Sequence, residues 1–264
     1  MNIFWRELKA HRRGLIIWSV CLFLLVVSGM SKYSAYSAGG ASSEVFDTMP
    51  RTMKALLGMG SFDVTQMAGF FAMLFLYIEL TVAIHAVLLG SGIIAKEERD
   101  KTVEFLMAKP VSRGSVITAK LFAALVQVIL LNVVTLASSL VMVSAYNKGE
   151  DITGEILQFM ASMLLVQLIF LSLGTALSAL LKRPKTSGSI ATGILLGCFV
   201  ISKITDLADH LDALNVLSPF KYFSYERIVN GEGIHAGIAA LSLLLVAVLV
   251  VSTYAAYRKR ELNV

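Results

Sequence analysis

Six apolar runs divide the chain, at 14–30, 67–95, 121–145, 156–181, 186–202 and 236–257. Each is continuous rather than alternating. Each is near the length that a helix rising 1.5 Å per residue needs to cross a hydrocarbon core of about 30 Å. The pattern predicts an all-α integral membrane protein with six transmembrane helices; a membrane barrel would alternate instead. The polar intervals between the runs are unequal. The most charged is 96–120, between the second and third runs, where residues 97–120 read EERDKTVEFLMAKPVSRGSVITAK.

Shorter patterns fill the intervals. In 1–13, Ile3, Phe4 and Leu8 share one helical face while Arg6, Lys9 and Arg13 lie roughly opposite, which predicts an N-terminal interfacial helix. In 31–66, Val45, Phe46, Met49, Met53, Leu56 and Leu57 keep helical spacing, with Pro50 at the start and Gly58 at the end. In 203–233, Leu207, Leu211 and Leu214 repeat at helical intervals before Ser218–Pro219 breaks the chain and Phe220, Tyr222, Phe223 and Tyr225 follow. This predicts an extracellular helix-break-helix that dips part way into the bilayer, its backbone covered by protein or open to a water-filled cavity. Pro184 and its three cationic neighbours predict a tight turn between the fourth and fifth spans. No internal repeat divides residues 1–264, so one six-span domain is expected.

Composition excludes a soluble domain, since 56% of residues are apolar and 16% charged. Charge placement sets orientation. Of the Lys and Arg residues, 16 lie in the termini, 96–120 and 182–185, and 7 in the other loops, which hold 11 acids. The positive-inside rule then puts both termini in the cytoplasm of a multi-pass plasma-membrane protein. The net charge of +5 is accounted for by this topology and implies no nucleic-acid partner. Cys21 and Cys198 lie inside spans, where a small apolar filler is the usual role.

Candidate chemistry is sparse. Thr102 is placed to cap a short helix over 103–108, which Lys109–Pro110 ends; Ser112 or Ser115 is placed to cap the third span. Such a helix has too few apolar residues to pack a domain and enough to fill a groove on another protein. Glu79 stands mid-span, where a carboxylate is costly and implies protein or water around it. His85 falls about 120° around the helix from it, so the two do not make a metal pair, and the separation disfavours a catalytic one. They remain candidates for an intramembrane polar or substrate path, and no catalytic or metal-binding residue is assigned. Ser189, Gly193 and Gly197 form a small-residue row for helix packing, within the chain by preference or across a dimer. Gly90, Gly92 and Gly174 are hinges or close contacts. No G-x-x-x-x-G-K-[ST] loop is present for binding ATP in that manner.

The 97–120 stretch resembles the signature of the ABC-2 family of membrane permeases. The matching residues are Glu97, Glu98, Thr102, Glu104, Leu106, Pro110, Val111, Ser112, Arg113 and Lys120; LSPFKYF at 217–223 is also similar. The family often has Gly before the Thr, where this chain has Lys101. The resemblance implies a transport subunit, not an enzyme: a permease of an ATP-driven exporter. A coupling segment built from Glu97, Glu98, Arg99, Thr102, Glu104, Phe105, Leu106, Pro110 and Arg113 would dock on a separate cytoplasmic ABC ATPase. It further implies a second permease chain, a homo- or heterodimer, and no cofactor on this chain, ATP and Mg belonging to the ATPase. The residues alone leave two alternatives, a proton-coupled carrier using Glu79 and an intramembrane enzyme.

Overall fold

The chain has four prolines, and the three among the described residues all mark a helix start. Pro50 precedes one helix, Pro184 opens another and Pro219 opens a 3₁₀ turn. This is where a residue with fixed φ and no N–H does least harm. The computed structural model describes residues 3–37, 48–59, 62–102, 111–146, 149–181, 184–207 and 209–259. Its helices are α1 (Ile3–Met30), α2 (Tyr33–Ser37), α3 (Arg51–Leu56), α4 (Met67–Arg99), α5 (Arg113–Tyr146), α6 (Thr153–Leu180), α7 (Pro184–Leu207), α8 (Tyr225–Val229) and α9 (Ala236–Lys259). Two 3₁₀ segments, Asp209–Leu217 and Pro219–Lys221, stand between α7 and α8. Among the described residues there is no strand, and six helices are long and apolar enough to cross a membrane.

The helix expected to lie separately over 1–13 is not a separate element. α1 runs unbroken from Ile3 to Met30, a length of about 42 Å at 1.5 Å per residue. No proline interrupts it, and Gly14, the one glycine in its interior (Gly29 stands in the last turn), costs a helix about 1 kcal/mol without ending it.

α4 and α6 form the centre. Of their apolar windows 67% and 61% are buried, against 22%, 17% and 11% for α7, α1 and α9. The two central helices touch backbone to backbone. A Cβ on Gly90 would lie 2.3 Å from the Leu171 carbonyl oxygen, and one on Gly174 would lie 2.5 Å from that of Val87. Glycine is required at this crossing because nothing else leaves room. Gly92 meets nothing within 4 Å, so only Gly90 and Gly174 are close contacts.

Phe70, Phe71, Phe75 and Phe159 fill one half of the core. Val87, Ile93, Ile117, Phe170 and Phe220 fill the other. The segment after α7 folds back into this second half. Phe220 packs on Phe170 and Phe199, with ring centroids 5.2 and 5.6 Å away. Phe170 is about 26 Å along α6 from Thr153 at 1.5 Å per residue, so the turn at Ser218–Pro219 lies deep in the bundle. The chain breaks at Ser218–Pro219 and buries Phe220 and Phe223, as the pattern predicted, while the segment before the break is a 3₁₀ helix.

Candidate functional site

Arg6 meets Glu97, and Arg113 meets the carbonyl of Arg258 at 3.3 Å, so the starts of α1 and α5 gather with the ends of α4 and α9. At this charged end α4 stops in a Schellman motif. The Thr102 N–H donates to the Glu97 carbonyl at 2.8 Å, and the Lys101 N–H to that of Glu98 at 3.4 Å. Lys101 carries the left-handed turn, with φ of 54°. A glycine is the natural occupant of such a position. On the other side of the segment, the Ser112 hydroxyl accepts the Ser115 N–H at 3.1 Å and caps α5. The chain is therefore fixed in direction on both sides of 103–110. Glu104, Phe105, Leu106 and Pro110 lie outside the described residues.

A chain of alternating charges ties these ends together. The Lys120 ammonium is fully buried; it donates to the Ile93 carbonyl at 2.5 Å and to Glu97. The other oxygen of Glu97 accepts from Arg6 at 3.0 Å. Arg6 also reaches Glu7 at 3.0 Å, and the second Glu7 oxygen accepts from Lys96 at 3.0 Å. His11 stands 3.8 Å from that same oxygen. Burying a lone carboxylate such as Glu7, which has no exposed surface, costs several kcal/mol unless cations pair with it. Here each buried carboxylate has two cationic partners. Lys120 and Glu97 thus clasp the two roots of the 97–120 segment, and Arg6 and Lys96 fasten that clasp to α1.

The remaining predicted residues separate. Glu98 is half-buried; Arg99 pairs with Asp100 at 3.1 Å on the surface. Glu79 is buried and accepts the Tyr225 hydroxyl at 2.5 Å. Tyr225 packs edge-on against Phe75 and Phe159, at 5.4 and 5.8 Å. His85 instead packs against Trp18 of α1 at 5.4 Å. The two residues face different neighbours, as their angular separation required. Asn132 donates to Gln167, an interhelical bond of the expected kind. Internal packing by Ser189, Gly193 and Gly197 is not found. All three are exposed on α7, and a Cβ on either glycine meets nothing within 4 Å. Their spacing permits close approach without supplying a helix to approach.

Arg6, Glu7, Lys96 and Tyr225 are among the residues that sequence reasoning did not single out as site residues. Glu7 is the sole acid among the four Lys and Arg of 1–13, and that isolation was the available signal.

Four spans thus surround a central pair, and one charged segment is held at both roots. A family model described as ABC-2 family transporter protein matches residues 1–262, and the chain belongs to that family. It is a multi-pass plasma-membrane permease subunit of an ABC transporter, a class that generally works with an ABC ATPase. Comparison with individually curated proteins gave no match.

Proposed function

We propose that this permease serves an ATP-driven exporter and that its charged end is the cytoplasmic end, where a separate ATPase subunit binding ATP and Mg docks on 97–113. The observation that carries this reading is the buried chain of charges from Lys120 to Lys96. A docking segment transmits force only if its roots cannot slide, and buried, mutually paired charges are costly to pull apart. The excess of Lys and Arg in the termini, 96–120 and 182–185 supports the same orientation. The segment after α7 then faces outward. A second permease chain packs against the exposed row of Ser189, Gly193 and Gly197, where two helices can approach closely.

The test is association. The chain purifies with a P-loop ATPase, and Leu106→Asp or Phe105→Asp lowers its retention at least tenfold while membrane insertion and yield are unchanged. Full retention by both variants overturns the docking role. A proton-coupled carrier is the second reading, favoured by the burial of Glu79 in mid-span. Proton-driven uptake in vesicles without any ATPase would select it.

A further inference from the structure

Glu79 and Glu97 stand on one helix and each is bound to a different moving part. Glu97 sits in the charge network beside 103–110. Glu79 holds Tyr225, which opens α8 at the end of the segment folded into the bundle. The helix between them is continuous, about 27 Å at 1.5 Å per residue, and no proline interrupts it. It crosses α6 at the Gly90–Gly174 contact, and nearer Glu79 the two helices interlock through Phe75 and Phe159, with ring centroids 4.6 Å apart. The pair is packed along its length, so a displacement at one end of α4 is carried to the other.

The folded-back segment is held differently on its two sides. Toward α7 it has several ties. The Ser218 hydroxyl donates to the Cys198 carbonyl at 2.8 Å, the Cys198 thiol donates to the Leu217 carbonyl at 3.4 Å, and Lys221 pairs with Asp206. Toward α4 the polar tie is the Tyr225 hydroxyl on Glu79.

From this placement, and resting on the ATP-driven reading above, we infer that Tyr225 is a positioning residue: its hydroxyl latches the folded-back segment to α4, so that tilting of α4 by the charged end moves or releases that segment. The latch needs only an acceptor oxygen at position 79. A substrate or proton site there needs the carboxylate itself. Glu79→Gln keeps a carbonyl oxygen and loses the charge, so it separates the two roles. Tyr225→Phe removes only the donor.

A cysteine introduced at Ile228 reports the latch, because Ile228 is buried on α8 in the same core as Phe75 of α4. In a C21S/C198S background it is the single thiol, since the chain has two cysteines. Its labelling by a charged methanethiosulfonate is timed for the permease alone and for its complex with the ATPase, with and without a non-hydrolysable ATP analogue. Losing a hydrogen bond to a buried carboxylate shifts an opening equilibrium by about tenfold or more. Y225F and E79L therefore label about tenfold faster than the parent, the double variant no faster than either, and E79Q at the parental rate. In the complex, the analogue changes the parental rate and leaves that of Y225F unchanged, while ATP hydrolysis persists in both. Parental labelling by Y225F overturns the latch. Labelling of E79Q as fast as E79L also overturns it and assigns the role to charge. Fast labelling of Y225F with no analogue effect on the parent keeps the latch and overturns its drive by ATP, which distinguishes the two failures.

Discussion

α4 and α7 read alike as apolar spans with small residues among their larger ones, yet the protein treats them oppositely. α7 is the less apolar, with a mean hydropathy of 1.7 against 2.1, and is also the more exposed. Hydrophobicity therefore does not sort these helices into centre and rim, because lipid accepts an apolar face as readily as protein does. Polar content sorts them. α4 carries Glu79, His85 and Glu97, all buried, and each requires a neighbour that lipid lacks. The middle of α7 carries none, and its ionisable residues stand at its ends, Lys185 in the first turn and Lys203 and Asp206 in the last turns. The same distinction explains the glycines. Gly90 of α4 and Gly174 of α6 form a contact that brings polar helices together, while Gly193 and Gly197 of α7 face outward.

Three substitutions test that contrast. Gly174→Val breaks it most severely, because the new Cβ falls on the Val87 carbonyl and the Ser91 N–H rather than on a flexible side chain. The central pair must part, at a cost of at least about 3 kcal/mol. Thermal unfolding in detergent and loss of a monodisperse chromatographic peak would show it; an unchanged midpoint would show that α4 and α6 do not meet there. Lys101→Gly acts at the end of α4 in the opposite sense. A side chain in the left-handed region costs roughly 1 kcal/mol that glycine avoids. The unfolding midpoint should rise by about 2–4 °C, and a fall would place Lys101 elsewhere in conformation. Gly193→Val on α7 is the mildest. Nothing stands within 4 Å, so stability of the single chain stays within about 0.5 kcal/mol. Association of two permease chains, followed by cross-linking or light scattering, weakens instead; equal loss in chain stability and pairing would erase the contrast between the helices.

Much of this architecture was legible in the chain. All six spans were read from apolar runs, and the helices overrun those runs only where charge takes over. α4 continues through Lys96 to Arg99 because hydropathy ends at the first lysine, whereas the helix ends where Lys101 turns left-handed. The inward fold after α7 was visible in Ser218–Pro219 and the aromatics behind it. The charge network was not, because its partners are distant: Arg6 and Glu97 stand 91 positions apart. Helical periodicity relates residues three and four apart and says nothing at that range. The amphipathic pattern of 1–13 was real but local. It placed Arg6 opposite the apolar face without revealing that Glu7 beside it would be enclosed by α4 and α5. The small-residue row of α7 shows a related limit, since spacing describes a surface and not its occupant.

The distances within the charge network also order the making of the protein. Glu7 leaves the ribosome long before Lys96, 89 positions later, and Lys120 comes later still. Until the second span has been made, Glu7 has Arg6 beside it but lacks Lys96, and Glu97 then waits for Lys120 at the start of the third. The charged end is thus complete only once the third span begins, and a nascent chain stalled before that point lacks the finished network of paired charges.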